Sequence, residues 1–70
     1  MKKVNFGKML KFLRQEKNMT QAQLASKLGV VESAVRGWEK ESWQTSFEML
    51  YKIAEILGVT VGQLLGVEDY

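Results

Sequence analysis

The side chains best suited to recognition chemistry gather between residues 32 and 40. At 100° per residue in a helix, Glu32, Ser33, Arg36, Gly37 and Lys40 fall on one stripe, opposite the apolar Ala34, Val35 and Trp38. That stripe has no packing task in such a helix and is free to meet a ligand. Its members are a guanidinium fork, a carboxylate, a hydroxyl and an ammonium, which suit hydrogen bonding to a partner better than bond-breaking. Catalysis has little to work with elsewhere. The chain contains no His and no Cys, which excludes thiolate or imidazole metal sites and any nucleophile–histidine pair. Lys and Glu are dispersed, with no acid–base pair and no phosphate-cradling glycine loop, so no enzyme activity, cofactor or metal is expected.

Charge indicates the chemical class of the partner. The net charge of +2 says little, but its distribution says more. Residues 1–40 hold nine Lys/Arg against three Glu, leaving +6, whereas residues 41–70 hold only Lys52 against five acids, leaving −4. Such segregation implies one face that attracts a polyanion. Solvated charge that segregates without a partner is the alternative reading.

Helical periodicity supplies the elements that must position the stripe. In residues 5–17, Phe6, Met9, Leu10 and Leu13 recur at i, i+3, i+4 and i+7, and Asn18 tolerates the left-handed conformation that closes a helix. Thr20 and Gln23 form a capping box for a second helix over 21–28, with Leu24, Ala25 and Leu28 inward and Gly29 at its end. Val30 and Val31 lead into a third helix over about 32–40. A loop follows over 41–45, and Ser46 caps a fourth helix over 47–57, with Phe47, Leu50, Ile53, Ala54 and Leu57 inward and Gly58 closing it. Thr60 and Gln63 open a short fifth helix through Leu65. No segment alternates like a strand. The expectation is an all-α fold of five short helices forming one domain over residues 1–70, small enough to bury only ~60% of its unfolded surface. No apolar run approaches the ~18 residues of a membrane helix, and the start MKKVNFGK lacks the apolar stretch of a signal peptide. A soluble cytoplasmic protein is therefore expected.

Residues 21–40 satisfy every demand of two helices crossing steeply across a tight turn. The inward sites Leu24 and Leu28 are apolar, and Ala25 is small where the helices come closest. Gly29 takes a positive φ without steric cost, and Val30, Val35 and Trp38 are apolar again. TQAQLASKLGVVESAVRGWEK resembles the helix-turn-helix of the phage repressor and Cro family of lambda-repressor-like, XRE-type regulators. LKFLRQEKNMT resembles that family's first helix and lead-in, and FEMLYKIAEILGVTVGQLL its fourth and fifth helices.

The resemblance implies that the third helix enters the major groove of double-stranded DNA while the start of the second grips the phosphate backbone. Arg36 can then pair bidentately with guanine O6 and N7, and Glu32 can accept from cytosine N4. Ser33 suits a base or a phosphate, and Lys40 a phosphate. Gln21 matches the family's backbone-clamping glutamine. Arg14 and Glu39 match a pair that ties the first helix to the third, a structural salt bridge before any DNA contact. Glu32 and Arg36, at i and i+4, also suit a plain intrahelical pair.

Some positions depart from the family pattern. Val31 stands where Ser or Thr usually caps the third helix, and Gly37 where a long polar residue is usual. The loop Lys40-Glu41-Ser42-Trp43-Gln44-Thr45 lacks the usual basic residues. Trp43 either folds onto the core or meets a dimer partner or the DNA backbone, with Gln44 beside it. Phe12 falls off the buried stripe of the first helix and either widens the core edge or marks an interaction patch. The expected function is a repressor-like transcriptional regulator. It would bind a palindromic operator as a weak homodimer formed on DNA, with no membrane or small-molecule partner, encoded by a bacterium or phage and associated with the nucleoid. Pairing would fall to the Trp43 loop, the fourth-to-fifth helix region, or the apolar C-terminus with Leu64, Leu65, Val67 and Tyr70. Lys2 and Lys3 would act as a flexible arm on the DNA backbone. The alternative is a protein-interaction module on the same fold, such as an antitoxin or an antagonist of another regulator.

Overall fold

The apolar stripes become helices whose ends coincide with the capping residues. The computed structural model describes residues 4–42 and 44–70. Five helices follow one another: α1 Phe6–Glu16, α2 Gln21–Leu28, α3 Glu32–Glu39, α4 Phe47–Leu57 and α5 Val61–Leu64. No strand occurs among the described residues, and no helix there is long and apolar enough to cross a membrane. Trp43, Lys2 and Lys3 lie outside the described residues.

Each boundary has a local cause. Asn18 turns the chain out of α1 at φ 56°, and Gly29 and Gly58 end α2 and α4 at φ 73° and 71°. Thr20 Oγ1 accepts from the Gln23 N–H at 3.0 Å while the Thr20 N–H donates to Gln23 Oε1 at 2.8 Å, closing a reciprocal cap. Thr60 and Gln63 repeat this cap at α5. Ser46 Oγ accepts from the Met49 N–H at 3.1 Å. Val31 leads into α3 in extended conformation with no side-chain cap.

Leu10, Leu13, Leu24, Leu28, Val35 and Trp38 join Leu50, Ile53, Leu57 and Leu64 in one core. α2 packs chiefly on α3, α3 also on α1, and α5 closes against α1 and α4. Two positions differ from expectation here. Phe47 is 81% exposed rather than inward. A helical side chain covers the turn preceding its own Cα, and before the first residue of α4 there is only loop. Leu64 is fully buried, which removes it from any pairing surface. Phe12, off the buried stripe as expected, is partly exposed and meets Tyr70 edge-on, with ring centroids 5.7 Å apart.

Candidate nucleic-acid interface

The turn at Gly29 sets α3 across α2, and a buried ionic hub holds the crossing. Glu39, on the last turn of α3, receives Arg14 Nε at 2.6 Å and Nη2 at 3.1 Å from α1. It also receives Gln21 Nε2 from the start of α2 at 3.0 Å. Arg14 Nη1 donates to the Met19 carbonyl at 2.8 Å, so the guanidinium fixes the α1–α2 connection as well. Both charged side chains are less than a tenth exposed. The fork engages both carboxylate oxygens, the geometry in which a planar guanidinium is most directional. The pair anticipated from Arg14 and Glu39 is thus present, and Gln21 extends it to three helices. The Gln21 amide spends one hydrogen on Glu39 and keeps a second for another acceptor.

Bordering the hub on α3, Glu32, Ser33, Arg36 and Lys40 are exposed, as the stripe predicts. Gly37 is not: it is buried, and its carbonyl accepts from the Ser42 N–H at 2.9 Å and Ser42 Oγ at 3.3 Å. With Glu41 at φ 59° and its N–H on the Trp38 carbonyl, these bonds close the C-terminus of α3, and the buried Gly37 interrupts the stripe. Arg36 Nη2 donates to Glu32 Oε1 at 2.6 Å, and both side chains remain nearly half exposed. The intrahelical pair is therefore formed, worth ~0.2–0.5 kcal/mol to the helix. Lys40 sits at the C-cap of α3 with its side chain in solvent, and Gln44 is exposed in the following loop.

Two further polar contacts brace this arrangement. Glu41 adopts φ 59° and turns its carboxylate to the start of α1, where Oε1 receives the Gly7 N–H at 3.4 Å. A carboxylate there complements the partial positive charge of a helix N-terminus, and Asn5, the N-cap residue, supplies no side-chain bond of its own. Lys52 of α4 donates from Nζ to the Leu28 carbonyl at 2.9 Å, satisfying an orphan acceptor at the end of α2. Sequence reading missed both. Lys52 carries a signal in hindsight, being the lone cation of the acidic half. The glycine within α1 is a second: a Cβ on Gly7 would lie 2.7 Å from the Glu39 carbonyl oxygen.

Comparison with known proteins agrees with this geometry. Residues 10–64 match the helix-turn-helix family model HTH_3. The chain is 36% identical over 66 residues to the HTH-type transcriptional activator BcrR of Enterococcus faecalis, covering 94% of this chain and 32% of that protein. It is 37% identical over 60 residues to the HTH-type transcriptional regulator MJ0272 of Methanocaldococcus jannaschii, covering 86% and 91%. The immunity repressor of Bacillus phage phi105 is 32% identical over 62 residues, covering 89% and 43%. Among solved structures, the biofilm master regulator SinR in complex with DNA superposes with a TM-score of 0.80 at 32% identity, over 87% of this chain and 98% of SinR. The enzyme HppE superposes with a TM-score of 0.83 at 32% identity, but this chain spans only 37% of it. The chain spans about a third of BcrR and under half of the phage repressor. With its turn, hub and crossing helices in place, the chain belongs to the XRE/Cro-type helix-turn-helix family.

Proposed function

We propose that the chain is a sequence-specific, double-stranded DNA-binding transcriptional regulator of repressor type, with α3 reading the major groove. The observation that carries this reading is the exposed set Glu32, Ser33, Arg36 and Lys40 on α3, whose helix is anchored at its end by the Arg14–Glu39–Gln21 hub. Arg36 reads guanine through O6 and N7, and Lys40 meets a phosphate. Gln21 presents its free amide hydrogen, at the amide-rich start of α2, to the backbone. Gly37, being buried, adds no contact of its own. The relatives support regulation in both directions, since one is named an activator and another a repressor. SinR, solved with DNA, supports the partner.

The operator in this reading is palindromic, and two copies of the chain occupy half-sites about one helical turn apart. Pairing is weak without DNA and uses the loop carrying Gln44, the α4–α5 region with exposed Tyr51, or Val67 and Tyr70 at the C-terminus. The protein then works in the cytoplasm on the nucleoid. The test is selection from duplexes with a random core of about 20 base pairs, followed by titration of the recovered duplex against salt. A two-fold motif and a steep loss of affinity with ionic strength are expected. Arg36→Ala should cost ~1–3 kcal/mol and relax preference at one position. Equal loss on all duplexes would remove Arg36 from a reading role. Absence of salt-sensitive binding, with a stoichiometric protein companion on purification, would favour the interaction-module reading.

A further inference from the structure

The contact between Glu32 and Arg36 bears on which bases α3 accepts, and the inference rests on the reading above. Arg36 commits one N–H of Nη2 to Glu32 Oε1 at 2.6 Å. A guanidinium has five such donors, so an edge of the fork remains for a base. Glu32 keeps its second oxygen, and both head groups reach solvent. Because the two heads touch, the base atoms they engage must lie close together. Successive bases are about 3.4 Å apart along the duplex, so the two side chains address one base pair or two neighbours. A carboxylate only accepts. The major groove offers two amino donors, cytosine N4 and adenine N6; adenine sets its N7 acceptor beside N6, so cytosine is the better match, whereas guanine O6 and thymine O4 repel a carboxylate. The touching pair also carries no net charge, so it releases no counterion when it faces a phosphate.

We propose that Glu32 and Arg36 act as one specificity-determining unit that requires a guanine facing Arg36 and a cytosine amino group, in the same or adjoining base pair, facing Glu32. The carboxylate refuses duplexes lacking that donor, and it holds Arg36 away from phosphates that any sequence offers. Glu32 thus lowers sequence-independent affinity and raises discrimination.

The experiment compares the unaltered chain with Glu32→Gln, Arg36→Ala and the double variant. The probes are the duplex recovered from the random pool, that duplex with each base pair substituted in turn, and a random-sequence duplex. In the unaltered chain, replacing the cytosine should weaken binding about tenfold. In Glu32→Gln that preference should fall to within about twofold, while binding to the random duplex tightens and its log–log salt slope steepens by about 1. The effects of the two single variants should be non-additive at the G·C position only. Helix content by circular dichroism keeps folding separate, since both side chains are solvent-exposed and outside the core. Glu32→Gln with unchanged cytosine preference, or with unchanged affinity for the random duplex, would reduce the pair to a helix contact and overturn the proposal alone. If the unaltered chain shows no salt-sensitive binding to any duplex, the DNA-binding reading fails and this one with it.

Discussion

Removing the Arg14 guanidinium should cost the protein about half or more of its stability, although the residue makes no contribution to an apolar stripe. Arg14 donates three hydrogen bonds, two to Glu39 and one to the Met19 carbonyl. The Arg14→Met variant keeps a similar stem but leaves the Glu39 carboxylate, 4% exposed, with Gln21 as its remaining donor. An uncompensated buried charge costs about 3–5 kcal/mol, and the abandoned Met19 carbonyl about 1 more. A domain of this length has a total stability of roughly 4–10 kcal/mol. The single variant therefore loses about half or more of it. Adding Glu39→Leu removes the stranded charge, and the double variant should regain most of the loss, because a buried pair replaced by apolar groups is often near neutral. Urea unfolding followed by circular dichroism at the helical band gives all four corners of the cycle, with a coupling energy of about 3 kcal/mol expected. Arg14→Met within about 1 kcal/mol of the parent would mean that the carboxylate finds water or another donor. The hub would then not govern the α1–α2–α3 arrangement.

Two other stability predictions follow from backbone geometry. Gly7→Ala should destabilise, against the ~1 kcal/mol gain in helix propensity, because the new Cβ meets the Glu39 and Trp38 carbonyl oxygens at 2.7 and 3.0 Å; overpacking against backbone costs ~1–3 kcal/mol, and a raised melting temperature would refute the close approach. Val31→Thr should stabilise by ~0.5–2 kcal/mol in urea unfolding, since Val31 already has the extended N-cap conformation and is largely exposed; no gain would mean the added hydroxyl fails to reach the α3 amides.

Most of the helical framework was legible because each boundary has a local chemical marker. Thr20 with Gln23, Thr60 with Gln63, and the glycines at 29 and 58 act within a few residues of themselves, so their sequence spacing is their spatial spacing. Phe47 misled because periodicity places a residue on a face without saying whether anything lies beyond the helix end. Gly37 misled differently. Its angle on the helical wheel is outward, but the fold buries it, and what packs beside a helix is not encoded in the period of that helix. The site split along the same line. Glu32 with Arg36 is an i, i+4 contact and could be read directly. Gln21 reaching Glu39, Lys52 reaching Leu28 and Glu41 reaching Gly7 span 18, 24 and 34 residues. Only the folded path brings them together. Arg14 with Glu39, 25 residues apart, was legible solely through family resemblance.

The Lys52 ammonium has a bearing on modularity. It clamps the carbonyl end of α2 from a helix that lies outside the bihelical motif. The motif's angle is thus partly imposed by a neighbour, as a buttress steadies an arch. A peptide comprising only residues 21–40 would lack both that clamp and the Arg14 side chain. Grafting the outward residues of α3 into another host should therefore succeed only where the host supplies equivalent props.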